Sequence, residues 1–420
     1  MALTAALLGW MFDGLEMGLF PYIGWPALQE LLMARQETAG RWFSGIVAVF
    51  LAGAALGGPL FGWLGDRIGR VKAMSWSVLA YSILTGLCAF ANAPWQLAVL
   101  RFLASLGMGG EWALGVALVM EIWPARSRPI LAGLIGASAN VGFLLVGVLG
   151  LGLTSFLGGV GRTLARVLPA PWVFTLLANG GWRLLCLAAA LPALLAFFIR
   201  LFVPESERWK QATQRAPKIR IAEVFRGSVG GSTVLGSAVS AMVWIGTWAS
   251  VQWIPTWTGA IAPLDPTAAA WAQVSMGAGA VVGTIAVAVA ADRLNRRLTY
   301  AALSVASLVV CQILFRSSWT YGIGFLAMVG LANALTAGFY GWLPLYLPEL
   351  FPTRVRATAQ GLAFNSGRII AAVGTLLGGQ RVARFDGSVA RMCAVMSLVY
   401  LLGPGLVFLG PETKGRPLPD

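Results

Sequence analysis

Histidine is absent from all 420 residues. Its absence excludes imidazole proton relays, histidine-ligated zinc and Ser-His-Asp hydrolysis together. Charge is scarce: Asp, Glu, Lys and Arg make up 11% of the chain, where a soluble domain carries about 25%. The cysteines are few (Cys88, Cys186, Cys311 and Cys393). Each sits inside an apolar run and no two have metal-ligand spacing, so the sequence predicts neither a disulfide framework nor a metal site. No Gly-rich loop closing on Lys-Ser or Lys-Thr occurs. No stretch is polar for long enough to form a soluble catalytic or nucleotide-binding domain. Nothing in the chain asks for a cofactor, and an enzyme reading has no reactive cluster to build on.

What remains is apolar. Hydrophobic residues make up 58% of the chain, and the mean hydropathy is +0.77. They come in runs of roughly 18–25 residues between short charged clusters, the length that crosses a bilayer as a helix. Twelve such spans are predicted, at 3–24, 43–63, 73–92, 96–119, 130–153, 183–203, 232–254, 268–290, 299–315, 320–346, 357–378 and 390–409. The alternating pattern of a membrane barrel is missing. The first span has no basic leader and no cleavage site and carries acids, so it reads as a retained helix.

Lys and Arg set the orientation. The loops after even-numbered spans, the central loop and the tail hold 18 of the 30 basic residues. The opposite loops and span edges hold nine: Arg35, Arg41, Arg162, Arg166, Arg183, Arg316, Arg381, Arg384 and Arg391. Arg101, Arg200 and Arg368 lie within spans. Both termini are therefore predicted cytoplasmic. The net charge of +14 is scattered over short loops, which suits an anionic lipid surface and not nucleic acid.

The chain repeats itself. Glu121-Ile-Trp-Pro-Ala-Arg126-Ser-Arg128 and Glu349-Leu-Phe-Pro-Thr-Arg354-Val-Arg356 stand 228 residues apart. Asp66-Arg67 and Asp292-Arg293 stand 226 apart, and Pro204-Glu205-Ser206 matches Pro411-Glu412-Thr413. This duplication predicts two pseudo-symmetric six-helix bundles, 1–203 and 232–420, joined by a polar cytoplasmic linker at 204–231. The Gly- and Pro-rich segment 154–182 is predicted to be irregular and on the outer side. With no large soluble domain, the energy for any solute movement would come from an ion gradient or from the solute's own gradient.

Gly62-Trp-Leu-Gly-Asp66-Arg67-Ile-Gly69-Arg70-Val-Lys72 resembles the signature loop of the major facilitator superfamily. Ala288-Val-Ala-Ala-Asp292-Arg293-Leu-Asn-Arg296-Arg297 is a degenerate second copy, with Ala288 where glycine is usual. Asp66 lies at a helix end, where it can pair with arginine and with the N-terminus of a neighbouring helix of the other half. The repeated Glu-x-x-Pro-x-Arg-x-Arg loops resemble those of the sugar-porter branch and its organic-acid relatives. The resemblance implies a cytoplasmic gate built from Asp66, Arg67, Arg70, Glu121, Arg126, Arg128, Asp292, Arg293, Glu349, Arg354 and Arg356, with Glu205 and Glu412 as further members.

Asp13 and Glu16 lie inside the first span, three residues apart, so they share a helix face. Carboxylates at membrane depth point to function. Glu16 lies about 20 Å from the cytoplasmic end of its helix and Arg101 about 27 Å from that of span 4. An arginine side chain bridges that difference, so Glu16 or Asp13 can reach Arg101. The Asp-Gly-x-Glu signature and the run Arg101-Phe-Leu-Ala-Ser-Leu-Gly-Met-Gly-Gly-Glu111-Trp resemble those of aromatic-acid and sialate symporters. That resemblance implies a proton-coupling site in which Glu16 carries the proton, Asp13 is second and Arg101 modulates them. Arg368 needs an anion, either an internal acid such as Glu111 or a solute carboxylate. Trp244, Trp248 and Gln252 share a face of span 7. Together with Glu111, Asn140, Asn333, Tyr340 and Asn365 they are the other candidates for a solute site.

The expected function is proton symport of a small organic anion, sialate-like or aromatic, across the inner membrane by a monomer. A proton-coupled sugar symporter and a proton-antiport exporter are the alternatives. A sensor that binds without carrying solute comes from a different class, and the short linker and tail argue against it.

Overall fold

The computed structural model describes residues 1–33, 38–214, 220–376 and 385–419, without the side chains of Phe197 and Arg200. Arg35, Arg215, Lys218, Arg381, Arg384 and the last two residues of the predicted 357–378 span lie outside the described residues.

The described chain is helical. The first six long elements are α1 (Ala2–Leu31), α2 (Ala39–Ile68), α3 (Arg70–Leu87), α4 (Pro94–Ile122), α5 (Arg128–Leu164) and α6 (Ala170–Ala188). Two short helices follow, α7 (Ala193–Phe202) and α8 (Glu207–Gln214). Then come α9 (Gly227–Ala249), α10 (Ile254–Ile261), α11 (Ala268–Arg293), α12 (Arg296–Arg316), α13 (Ile323–Leu350) and α14 (Arg356–Leu376). The chain closes with α15 (Val389–Met396) and α16 (Leu402–Phe408).

Long apolar runs make helices because no water is at hand to satisfy an open backbone, so every N–H must bond within its own segment. The starts are marked locally. Proline occupies the first turn of α4, α5, α6 and α10, where its missing N–H costs nothing. The Asn295 side chain accepts from the Leu298 N–H at 2.7 Å and caps α12.

Eleven helical segments among the described residues are long and apolar enough to cross a membrane. The one expected span not among them is α14, which carries Gln360, Asn365, Ser366 and Arg368. These polar residues dilute its hydropathy, and three of them, Gln360, Asn365 and Arg368, are buried inside the protein.

The 154–182 segment departs from the expectation. It is helical through Leu164 and again from Ala170. The break falls at Asn179, Gly180 and Gly181, with φ of 48°, 71° and 67°. Glu30 at the end of α1 accepts from Asn179 Nδ2 and Trp182 Nε1, both at 2.8 Å, and from Arg183. Glycine-rich sequence here makes a left-handed turn that seats a half-buried carboxylate within a largely helical segment, in place of the expected irregular loop. The predicted 183–203 span is likewise split, with turns at 189–192 between α6 and α7.

The most extensive helix packing joins α2 to both α4 and α14, and α11 to both α5 and α13. Small residues let these backbones meet. A Cβ on Gly58 would lie 2.6 Å from the Gly361 carbonyl oxygen, and one on Gly361 would lie 2.4 Å from that of Gly58. Thus α2 and α14 touch backbone to backbone, and this contact positions the functional residues of α14.

Candidate functional site

One stripe of α14 carries Arg356, Gln360, Phe364 and Arg368 at four-residue spacing, all of them buried. Each step rises about 6 Å, so the stripe runs about 18 Å from one face of the protein to its interior. Three layers are built along it.

The first layer is ionic. Asp66, at the end of α2, accepts from the backbone N–H groups of Ala357 (3.2 Å) and Thr358 (2.8 Å) and from the Thr358 hydroxyl (2.5 Å). It caps the first turn of α14, where unpaired N–H groups and the helix dipole favour a carboxylate. Arg70 also bonds Asp66, and it donates to Glu121 at 3.0 Å and to the Thr353 carbonyl at 2.8 Å. Arg356 donates to Glu121 at 2.9 Å and to the Pro419 carbonyl at 2.8 Å. All four charged side chains are buried, so each is desolvated and held by the others. Gly69 makes the tight turn at this corner. Its φ is +112°, and a Cβ would lie 2.2 Å from the Glu205 carboxylate. Glu205 instead accepts from the N–H groups of Arg70 (3.0 Å) and Val71 (3.1 Å). Burial pushes its carboxyl up against those hydrogen bonds.

The repeat of this cluster is built differently. Arg296 pairs with Glu349 at 2.9 Å, and Glu412 accepts from the N–H groups of Arg296 and Arg297, both at 3.1 Å. For Glu412 burial raises the carboxyl, but the Lys414, Arg297 and Arg296 N–H groups outweigh it and hold the group below its ordinary range. Asp292, the counterpart of Asp66, caps no helix. Its side chain is 52% exposed and 3.9 Å from Arg296. Arg128 is buried and donates to the Met120 carbonyl at 3.1 Å. Arg354 pairs with Glu223 of the linker. Arg67, Arg126 and Arg293 are exposed, with Arg67 lying over the Trp63 ring at 5.1 Å.

The second layer is aromatic. Phe364 stacks on Trp112 of α4 at 3.7 Å, with Trp10 and Trp244 edge-on to it at 6.1 and 5.4 Å. Gln360 donates to the Ala113 carbonyl and Asn365 to the Gly109 carbonyl, the latter at 3.0 Å. Asn365 is thus a tie between α14 and α4 and does not line the cavity beyond.

The third layer is that cavity, about 770 Å³ of empty space including its mouth. It brings together Asp13, Asn140, Trp244, Trp248, Gln252, Asn333, Tyr340 and Arg368, and adds Trp10, Thr247, Gln273 and Thr336 to the residues expected. Arg368 is 1% exposed. Its guanidinium lies over the Trp244 ring at 4.3 Å. Its Nε and Nη1 have no hydrogen-bond acceptor, and no carboxylate lies within ion-pair distance of it among the described residues. An internal acid is therefore not its direct partner. Trp10 Nε1 and Asn333 Nδ2 are also buried donors without an acceptor. The cavity wall therefore offers spare donors to an acceptor-bearing ligand, beside the Asp13 carboxyl, whose oxygens are also without a donor.

The two acids of α1 part company. Glu16 pairs with Arg101, as expected, and accepts from the Thr85 hydroxyl at 3.3 Å. Arg101 is sandwiched between Phe20 and Phe50, each at 4.6 Å. This pair lies outside the cavity lining. Asp13 lines the cavity and adjoins the carboxyl of Glu111 on α4. Gly9 makes room for that approach, since a Cβ there would meet the Glu111 carboxylate at 1.6 Å.

A family model described as Major Facilitator Superfamily matches residues 5–375. The chain belongs to the major facilitator superfamily. It is similar to a probable 4-methylmuconolactone transporter of Cupriavidus pinatubonensis, 29% identical over 97% of this chain and 89% of that one. It is similar to the cis,cis-muconate transport protein of Acinetobacter baylyi, 27% identical over 96% of this chain and 91% of that one. Its fold matches the proton:xylose symporter XylE bound to 6-bromo-6-deoxy-D-glucose with a TM-score of 0.73, at 18% identity, over 99% and 97% of the two chains. As a member of this superfamily the chain is a transporter and a multi-pass protein of the inner membrane.

Proposed function

We propose that this facilitator carries a small organic anion into the cell by proton symport. The observation that carries the reading is Arg368, a buried cation facing a cavity with N–H groups to spare. A desolvated guanidinium with no ion-pair partner is costly, and a solute carboxylate satisfies it with charge-assisted hydrogen bonds. The aromatic walls suit a flat, unsaturated body. The relatives named for cis,cis-muconate and 4-methylmuconolactone favour the same class.

In this reading α14 brings the membrane spans to twelve, both termini are cytoplasmic, and bundles 1–203 and 232–420 rock about the cavity as one monomer. The ionic layer is then the cytoplasmic gate. The coupling proton belongs to Asp13, which reaches the cavity and shares its surroundings with Glu111. Two adjoining carboxylates repel, so the pair binds a proton between them. The Glu16–Arg101 pair sits behind it and fixes α1 against α4.

The test is uptake of labelled cis,cis-muconate into proteoliposomes under an imposed proton gradient. Wild type accumulates it. Asp13→Asn is expected to lose gradient-driven accumulation at least tenfold while still exchanging internal for external solute. Accumulation by Asp13→Asn at the wild-type level, with loss only in Glu16→Gln, would move the proton to Glu16. Uptake of neutral sugars but of no carboxylate would sink the anion reading itself.

A further inference from the structure

The spare donors of the cavity are not gathered at one end. On α13 the cavity-lining residues Asn333, Thr336 and Tyr340 share one face. Tyr340 stands at the level of the anion anchor: its ring meets Trp244 at 5.9 Å, and Trp244 carries the Arg368 guanidinium at 4.3 Å. Asn333 is seven residues away along the same helix, about 10 Å. Gln252 lies beyond Trp244 along the α9 side. The two helices are antiparallel, because the linker before α9 is tied through Glu223 to Arg354 after α13. Moving from Trp244 to Gln252 and from Tyr340 to Asn333 is therefore moving in one direction. The cavity has a cationic end and an amide end.

Asn333 is not a bystander at that end. It is 8% exposed, and its Nδ2 has no acceptor. A buried amide donor left without a partner costs free energy, and the cavity is the side on which it stands open. It carries no charge, so it can serve any oxygen acceptor, a carbonyl or hydroxyl as well as a carboxylate.

We propose that Asn333 selects solutes with two oxygen functions: a carboxylate at Arg368 and a second oxygen acceptor, of which a carbonyl is the simplest, at the far end. The two positions stand about 10 Å apart along the helix axis, so the two oxygens are carried at opposite ends of a short body such as a conjugated four-carbon chain or one ring. The inference rests on the reading of Arg368 as the anion anchor.

A matched pair of monoanions tests it. Sorbate has a conjugated four-carbon body ending in a methyl group, and monomethyl trans,trans-muconate replaces that methyl with an ester carbonyl. Binding of each to the purified full-length protein is measured by calorimetry at one pH. The ester is expected to bind at least tenfold more tightly than sorbate. In Asn333→Leu, and in the isosteric Asn333→Asp, which removes the donor, the preference is expected to fall to within threefold. A wild-type preference already within threefold overturns the proposal, as does a tenfold preference that survives in both variants. If either result comes with loss of all binding in Arg368→Gln, the anchor stands and only the Asn333 inference falls. If neither acid binds wild type, both fall.

Discussion

Replacing Arg368 with glutamine is expected to weaken binding of a carboxylate solute by about a hundredfold or more. Two charge-assisted hydrogen bonds at about 1.5–3 kcal/mol each amount to about 3–6 kcal/mol, and each 1.4 kcal/mol is about tenfold in affinity. The same substitution is expected to leave the empty protein as stable or more stable. No acid lies within ion-pair distance of Arg368 among the described residues and Asp13 acts on it only at longer range across the cavity, so glutamine removes a costly buried charge instead of breaking a close pair. Arg368→Lys keeps the charge but loses the planar fork that grips a carboxylate, and about tenfold weaker binding is expected. The measurement is a thermal unfolding series with and without cis,cis-muconate. A role confined to packing predicts the opposite pattern: a lower midpoint without ligand and an undiminished ligand-induced rise.

The opposed signs follow from facts the sequence could not carry. An arginine inside an apolar span announces that it needs an anion, but not which one. Two acids three residues apart on α1 look interchangeable as partners for Arg101. In the folded protein one turn of helix separates their fates, with Glu16 reaching Arg101 and Asp13 reaching Glu111 and the cavity. The candidates that were legible were polar residues in apolar runs, such as Asn140, Gln252 and Asn333, because polarity at depth needs a reason. The ones missed were of two kinds. Trp10 looks like any core or interfacial aromatic. The faces of uniformly apolar helices cannot be told apart, because lipid and protein interior are equally apolar. Thr353, Thr358 and Pro419 act through the first turn of a helix and through backbone carbonyls, which side-chain identity does not reveal.

Duplication misleads in an instructive way. The two Asp-Arg motifs predict two latches, with Ala288 in place of glycine marking the second as the weaker. Only Asp66 caps a helix, whereas Asp292 stays half in solvent. The two copies sit in different surroundings: Gly62 lets α2 approach the Ala357 carbonyl, 2.3 Å from where a Cβ would stand, and at the matching position the second copy has Ala288. A methyl group there is consistent with the looser second contact. In the proposed reading the asymmetry gives α14 a double task, since one stripe bears the latch at Arg356 and the solute anchor at Arg368. A tilt of α14 that opens the ionic layer also moves the guanidinium.

Asp66→Asn is therefore expected to release the closed state, and Asp292→Asn to leave it in place. Removing the Asp66 charge leaves Arg70 with one acid fewer and weakens the cap on α14. Breaking one partner of a buried ionic network costs about 3–5 kcal/mol, which shifts a two-state equilibrium about a hundredfold or more. The exposed Asp292–Arg296 contact is of the kind worth at most about 1 kcal/mol, a shift of a few fold. A cysteine at Ala113 reports the difference, because Ala113 is fully buried under Gln360 in this structure, with the ionic layer intact. Its modification by a charged thiol reagent applied from the face of the 66–72 loop is expected to speed up about a hundredfold in the Asp66→Asn background. In the Asp292→Asn background the rate is expected to stay within about fivefold of the parent. Uptake is expected to fall steeply only in the first variant, because a carrier that cannot close this face cannot expose its site to the other. Equal rates in the two backgrounds would mean that the ionic layer is held by Glu121 with Arg70 and Arg356 alone, and that the cap on α14 is incidental.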